Sequence, residues 1–186
     1  PGHHAERAAA MGFCFFNNIA VGIRHALTEL GVQRVALIDF DVHHGNGSED
    51  IFQGDERVLM CSIFESGIYP FSGDNAKGPN MVNVGLPSRS GSDAFRAAVT
   101  NQWVPALDAF APELIYVSAG FDGHREDDMG NLGLVDADYE WVTQQIMAVA
   151  QRHSKGRVIS CLEGGYALNP LARSVAAHVK VLIGAD

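Results

Sequence analysis

Five short apolar runs, each bounded by polar residues or glycine, recur along the chain and constrain its fold more than any other feature. They lie at residues 35–38, 58–61, 81–84, 114–117 and 158–161. Short runs of this kind without helical periodicity are typical of strands that are buried on both faces. Such strands occur in parallel sheets that are covered by helices, so the runs predict a parallel sheet.

Segments with helical spacing of apolar residues lie between several of these runs. They cover residues 17–30, 93–110, 136–153 and 170–183. We expect Asp93 and Asp136 to be N-caps and Gly31 to be a C-cap, and Pro170 suits a first helical turn. No linker or repeat divides the chain, so the alternation predicts one α/β domain, with a long loop at residues 65–79.

The balance of charges and cysteines narrows the class of protein. The 22 acidic and 13 basic residues give a net charge of -9, which argues against direct nucleic-acid binding and suits a cationic partner. Three cysteines without zinc-finger spacing favour a reducing compartment. No apolar run reaches the roughly 20 residues of a membrane helix, and no signal peptide is visible, so we expect a cytoplasmic protein without a membrane span.

The chain opens with Pro-Gly-His-His and without an initiator Met. Chain ends are usually the least ordered part of a domain, so chemically useful histidines are unexpected there. The sequence is therefore interpreted as a partial domain that lacks an N-terminal portion.

Residues typical of a metal site follow two of the predicted strands. Asp39, Asp41 and His43 alternate, so an extended backbone directs their side chains to one side. Asp122 follows another strand, and the carboxyl ends of parallel strands share one edge of the sheet. Two carboxylates and one imidazole leave a position open for water, as in hydrolytic zinc sites. An isolated Asp-x-His would more often be a turn with a surface histidine, but here it lies within Asp-x-Asp-x-His-His-Gly-x-Gly.

Further candidates for catalysis lie at both ends of the chain. His3 and His4 could act as general acid and base, with Asp39 or Asn46 as orienting partners, although a terminal His-His pair is often merely solvated. Tyr166 follows two glycines and could donate to an oxyanion, or anchor a turn. The sequence has no Gly-x-Ser-x-Gly, Walker or dinucleotide-binding motif, and its cysteines are interpreted as structural, with Cys14 the one that could approach the site.

Five motifs together resemble the histone deacetylase family. They are Pro-Gly-His-His-Ala at 1–5, Gly-Phe-Cys-Phe-Phe-Asn-Asn at 12–18, Asp-x-Asp-x-His-His-Gly-Asn-Gly at 39–47, Ser-Ala-Gly-Phe-Asp at 118–122 and Glu-Gly-Gly-Tyr at 163–166. They follow the family's order and span nearly the whole chain. The resemblance implies an arginase-like α/β fold of three layers, with an eight-stranded parallel sheet flanked by helices, and one partial deacetylase catalytic domain over residues 1–186.

The resemblance also implies roles for individual residues. The zinc ligands would be Asp41, His43 and Asp122, with ferrous iron as the alternative metal. His4 would be the general base, His3 paired with Asp39 its electrostatic partner, and Tyr166 would polarise the acetyl carbonyl. The acyl-lysine channel would be lined by Gly12, Phe13 and Tyr69. A structural potassium ion would be held by Asp39, Asp41, His43, Ser62 and Ile63.

The sequence departs from the family in three respects. The family's catalytic domain is roughly twice as long, Asn46 stands where some members have Asp, and Tyr69 stands where Phe is usual. Because members with His in place of Tyr166 are poor on acetyl-lysine, the tyrosine predicts a competent deacetylase.

The substrate is left open between an acetylated lysine peptide, an acetylpolyamine and another small amide. A protein-interaction module without activity is the alternative from another class, and an exposed sheet edge would favour a homo-oligomer. The acidic run at residues 126–128 is interpreted as solvated surface.

Overall fold

The computed structural model describes residues 2–185. Pro1, the first residue of the first motif, and Asp186 lie outside the described residues. Within them, the five apolar runs form β1 (Val35–Asp39), β2 (Val58–Glu65), β3 (Met81–Leu86), β4 (Leu114–Ala119) and β5 (Val158–Leu162). All neighbouring strands are parallel, and their order is β3-β2-β1-β4-β5. The parallel sheet is therefore confirmed, with five strands among the described residues where the resemblance implies eight.

Both faces of the sheet are buried by helices. Along β1, Ala36 and Ile38 pack into one apolar cluster, whereas Val35 and Leu37 pack into another. Since successive strand residues point to opposite faces, each cluster lies on its own side of the sheet. The result is the predicted three-layer α/β architecture.

The helices are α1 (Asn18–Thr28), α2 (Asn46–Phe52), α3 (Ser92–Ala98), α4 (Val104–Phe110), α5 (Asp136–Val149) and α6 (Leu168–Ile183). A π-helical segment, Val99–Trp103, joins α3 to α4, and another, Ala150–Ser154, continues α5. All four predicted helices are present. The sequence did not predict α2, which begins inside the motif at residues 39–47.

The predicted helix caps are wrong by one or two residues. The N-cap of α3 is Gly91 and that of α5 is Val135, so Asp93 and Asp136 lie in the first turns. A carboxylate in the first turn still interacts favourably with the helix dipole, which explains the sequence preference. The C-cap of α1 is Glu29, although Gly31 does adopt a positive φ of 70°.

Two further expectations concern surfaces. No helix within residues 2–185 is long and apolar enough to cross a membrane. The edge strand β5 leaves Ile159 and Leu162 exposed at 42% and 54%, and self-association through such an edge stays a prediction.

A buried histidine links α6 to α5 and β5. His178 Nδ1 lies 2.7 Å from Thr143 Oγ1, and its Nε2 lies 2.8 Å from Ser160 Oγ. Because the Thr143 hydroxyl donates its hydrogen to Tyr139 O at 2.6 Å, it accepts from His178 Nδ1. Nε2 then carries no hydrogen and accepts from Ser160. Burial lowers the pKa of His178 to about 4, in keeping with a neutral ring.

We expect this histidine to make the stability of the protein sensitive to acid. The folded pKa lies below the unfolded value of about 6.5, so the unfolded state binds the proton first as the pH falls. We expect its contribution to the unfolding free energy to be complete above pH 6.5 and to be lost towards pH 4, at a cost of about 3 kcal/mol. Thermal unfolding between pH 7 and pH 4.5, compared with His178→Gln, measures this effect. The variant should start less stable and lose less on acidification, and equal losses in both proteins would contradict the assignment.

Candidate metal centre and active site

The predicted site residues meet at the carboxyl edge of the sheet. Asp39 ends β1, Asp122 follows β4 and Tyr166 follows β5. The register pairs Asp39 with Ser118 on one side and with Ser62 on the other, so the polar segments leave the sheet at one level. This edge is where open α/β sheets bind their ligands.

Asp41, His43 and Asp122 form a group that could hold a metal ion. One ligand atom from each lies within 4.8 Å of the others, and all three residues are buried. His43 Nδ1 is 3.1 Å from Asp41 Oδ1 and 3.2 Å from Asp122 Oδ2. Backbone amides orient both carboxylates, since Gly164 N donates to Asp41 Oδ2 at 2.7 Å and Val42 N donates to Asp122 Oδ1 at 2.9 Å.

The charge and hydrogen bonding of this group fit a cation. Asp122 Oδ2 is buried and, despite its distance to His43, has no hydrogen-bond partner among the described residues. Burial, together with the charge of Asp41, raises the pKa of Asp122, so the ionised carboxylate is disfavoured unless positive charge lies beside it. A divalent ion would supply that charge and the missing contact. Two carboxylates and one imidazole suit zinc, and the donor set also accepts ferrous iron.

The second ion predicted from the resemblance is potassium, and two of its predicted ligands lie on neighbouring strands. Asp39 and Ser62 are fully buried and opposite each other in β1 and β2, and Ile63 is the next residue. Asp41 and His43 lie just beyond the end of β1. The register shows only that Asp39 lies beside Ser62, and the potassium ligand set stays a prediction.

The first histidine of the pair lies between two carboxylates. His3 Nδ1 is 2.8 Å from Asp39 Oδ2, and its Nε2 is 3.8 Å from Asp41 Oδ1. Burial disfavours the imidazolium, but the charges of Asp39 and Asp41 outweigh it and raise the pKa of His3 well above its ordinary value. A charged His3 offsets the negative charge of this buried cluster.

The second histidine has a different partner. His4 Nδ1 lies 2.7 Å from Asn46 Oδ1. Burial, and then the charge of His3, lowers the pKa of His4 to about 3, so its ring is neutral near pH 7. The sequence left Asp39 and Asn46 open as orienting partners, and the fold assigns Asp39 to His3 and Asn46 to His4.

Two elements hold the His-His segment in place. Glu163 accepts hydrogen bonds from Gly2 N at 2.7 Å and from His3 N at 3.2 Å. At the start of α2, Gly47 N and Ser48 N donate to His3 O at 3.0 and 3.1 Å. The helix that the sequence did not predict thus fixes the backbone of a predicted site residue.

A cavity of about 490 Å³ adjoins the metal-binding group, a size typical of small-molecule sites. Gly12, at a positive φ of 55°, packs so closely on His4 that a Cβ would overlap the imidazole. Tyr69 packs edge-on against His4, with ring centroids 5.0 Å apart. The cavity is lined by His3, His4, Gly12, Phe13, Cys14, Asp41, His43, Tyr69, Met129, Glu163, Gly164 and Tyr166.

The loop that carries Tyr166 is anchored by a residue whose role the sequence did not reveal. Asp127 Oδ2 accepts hydrogen bonds from Tyr166 N at 2.7 Å and from Ala167 N at 2.9 Å. The prediction that residues 126–128 are solvated surface is therefore wrong for Asp127, which is 7% exposed, and right for Glu126 and Asp128. Burial, together with the charges of Asp122 and Asp41, raises the pKa of Tyr166, so its hydroxyl remains a donor.

Comparison with known proteins agrees with the resemblance seen in the motifs. The family model described as "Histone deacetylase domain" matches residues 1–182. The chain belongs to the histone deacetylase family. A crystal structure titled "HDA15 HD domain" superposes with a TM-score of 0.91 at 35% identity, over 99% of this chain and 55% of that one, which agrees with the family's arginase-like fold.

Relatives within the histone deacetylase family come from several kingdoms. The chain is 42% identical to type-2 histone deacetylase 2 of Dictyostelium discoideum, over 98% of this chain and 12% of that protein. It is 41% identical to chloroplastic histone deacetylase 14 of Arabidopsis thaliana, over the whole chain and 45% of that protein. A histone deacetylase-like amidohydrolase of Pseudomonas aeruginosa is 41% identical over 89% of this chain and 46% of its own length. The chain thus spans less than half the length of these relatives.

Within this histone deacetylase domain, the fold brings every predicted site residue to one edge of the sheet. Several neighbours of the site were not assigned a role from the sequence. Glu163 stood in a recognised motif, and Asp127 stood close after one, so the motifs could have pointed to both. Met129, which lines the cavity, carries no comparable signal.

Proposed function

We propose that the chain is the metal-binding part of a hydrolase that removes acetyl groups from an acetylated lysine or polyamine. The observation that carries the proposal is the convergence of three chemical groups on one cavity: a metal-binding group, an oriented imidazole and a phenol. A divalent cation held by Asp41, His43 and Asp122, with zinc as the first expectation and ferrous iron as the alternative, would act as a Lewis acid toward the amide carbonyl and the attacking water.

His4 is the proposed general base. Its Nδ1 is engaged by Asn46, which leaves Nε2 to accept a proton from water as the water oxygen bonds to the carbonyl carbon. When the carbon–nitrogen bond breaks, His4 returns that proton to the leaving amine, so the products are acetate and a free amine. His3, which is paired with Asp39, contributes positive charge beside the reacting atoms.

Tyr166 is the proposed donor to the carbonyl oxygen. Negative charge develops on that oxygen when water adds, and a donor already in place stabilises it more than the ground state. The loop bearing Tyr166 is fixed by Asp127, and the adjacent Gly164 donates to the ligand Asp41. These two backbone hydrogen bonds fix the position of the segment that carries the phenol relative to the proposed metal ligands.

Replacing Tyr166 by phenylalanine tests this role with little change in shape. We expect kcat to fall about 10²- to 10³-fold with a small change in KM, as for removal of one oxyanion donor. Steady-state kinetics of the zinc-loaded protein on a fluorogenic acetyl-lysine peptide measure the effect. Tyr116→Phe is a matched control, because Tyr116 packs in the apolar cluster that contains α1 and does not line the cavity. A Tyr166→Phe rate equal to wild type would exclude the phenol from the reaction.

The substrate class is tested by comparing the rates on two kinds of acetylated amine. Acetyl-lysine peptides and acetylputrescine should be compared as kcat/KM with the zinc-loaded and the iron-loaded protein. Release of acetate from either substrate supports the proposed reaction, and the ratio identifies the better substrate. No acetate from any acetylated amine, in a folded and metal-loaded protein, would refute the proposal.

A further inference from the structure

The Asn46 side chain bridges His4 to a carboxylate near the surface. Its Oδ1 lies 2.7 Å from His4 Nδ1, and its Nδ2 donates to Glu6 Oε1 at 2.9 Å. Nδ2 also contacts Met11 Sδ at 3.3 Å. Asn46 is 3% exposed, so water has little access to its amide group, whereas Glu6 is half-buried. The side chains Glu6, Asn46 and His4 therefore form one hydrogen-bonded row, which is named here the Glu6 row.

The donors and acceptors of the Glu6 row fix each orientation. A carboxylate only accepts, so the amide nitrogen of Asn46 has to face Glu6. The amide oxygen then faces His4, and an oxygen cannot donate, so His4 Nδ1 must carry the hydrogen. As a consequence, the lone pair of His4 lies on Nε2. Glu6 thus determines the tautomer of the His4 ring through the Asn46 side chain that lies between them.

We propose that Glu6 is a positioning residue that holds the Asn46 amide in one orientation and thereby keeps His4 in the tautomer with Nε2 free. This inference rests on the proposed function, in which His4 Nε2 accepts the proton. Glu6 is not one of the described residues that line the cavity, so it acts through Asn46 and His4.

The Glu6 row also gives a physical reason for asparagine at position 46. An aspartate there would place a carboxylate oxygen about where Nδ2 now lies, 2.9 Å from Glu6 Oε1. Two carboxylates that close, in a site with little water, repel each other or force one to take a proton. Glu6 thus selects an amide over an acid at this position.

The first test is a set of variants assayed with zinc and an acetyl-lysine peptide. Glu6→Ala should lower kcat on the order of tenfold with KM within about twofold, the range seen when partners of site residues are removed. Glu6→Gln should regain only part of the rate, because its amide can either accept from Asn46 or donate to it and so fixes the orientation less firmly than a carboxylate does. In an Asn46→Ala background, Glu6→Ala should cost little more, since the row is already broken. The exposed Glu56→Ala is the control.

The second test does not depend on activity. In metal-free protein labelled with ¹⁵N, the imidazole nitrogens of His4 report the tautomer directly. Wild type should show hydrogen on Nδ1 alone, and both Glu6→Gln and Glu6→Ala should show a mixture, because neither side chain restricts Asn46 to one orientation. This measurement stays decisive even if no acetylated amine is hydrolysed, so failure of the proposed function and failure of the row are distinguished. The proposal would be overturned if folded Glu6→Ala kept the wild-type tautomer. It would also be overturned if Glu6→Ala lowered the rate by the same factor in the Asn46→Ala background as in the wild type.

Position 46 provides an independent check of the selection for an amide. Asn46→Asp should lower the Tm, and the double change Glu6→Gln with Asn46→Asp should regain most of it, because glutamine can donate to the new carboxylate. Equal Tm values for wild type and Asn46→Asp would contradict the proposed selection.

Discussion

Replacing Asp122 by alanine is expected to abolish stoichiometric metal binding and to lower kcat/KM roughly a thousandfold or more, since changes to outer partners alone cost 10- to 100-fold. Asp122 is one of the three proposed ligands, and Asp41 and His43 alone would leave the site short of a ligand for a catalytic ion. Metal content by mass spectrometry, measured beside hydrolysis of a fluorogenic acetyl-lysine peptide, gives both quantities from one preparation.

Two further variants make this result interpretable. Asp122→Asn keeps the shape and an acceptor for Val42 N, which donates to Asp122 Oδ1 at 2.9 Å, so it separates loss of the ligand charge from loss of the fold. Asp128→Ala removes an exposed carboxylate from the same segment and should bind metal as wild type does. Full metal content in folded Asp122→Ala would remove Asp122 from the proposed ligand set.

Replacing His4 by alanine is expected to lower kcat about 10²- to 10⁴-fold while metal binding is retained. The imidazole is the group proposed to take the proton from water, and it is not one of the three ligands. The fold-change in kcat should be larger than the fold-change in KM, because the proton transfer occurs in the transition state. Kinetics and metal content on the same sample measure the two effects separately.

An exposed histidine supplies the matched control. His25 lies on the solvent side of α1, and His25→Ala should leave kcat unchanged. Circular dichroism and Tm of His4→Ala check that the fold is intact, since His4 packs against Tyr69 and Gly12. A folded, metal-loaded His4→Ala with wild-type kcat would exclude His4 as the general base.

The strands and every helix except α2 could be predicted because their patterns are local; α3 and α4 fall in one predicted segment. An apolar run such as residues 35–38 has to be buried on both faces wherever it lies, and the period of an amphipathic helix is visible in one window. The short α2 gave no such signal. It consists of Asn-Gly-Ser-Glu-Asp-Ile-Phe, and Asn46, Ser48 and Glu49 in it are buried polar residues, which an apolar pattern cannot reveal.

The site was predictable to the level of which residues meet, and less so to the level of which atoms pair. Spacing grouped Asp41 with His43, although residues 41–43 form a bend and not the extended segment that was predicted, and strand ends placed Asp122 beside them. Asp127 was misread because a run of three acidic residues resembles solvated surface. Its burial follows from the loop of Tyr166, which folds back over it from 39 residues further along the chain.

The sequence by itself determined the class of fold, the edge of the sheet where the chemistry lies and the residue types that could hold a metal. These properties follow from local apolar patterns and from motifs whose members are close along the chain. Only the tertiary structure decided that His4 pairs with Asn46, and that Glu6 and Asp127 hold side chains and loops of the site. These contacts join segments distant in sequence, and a buried donor is matched to its acceptor only when packing brings the two together.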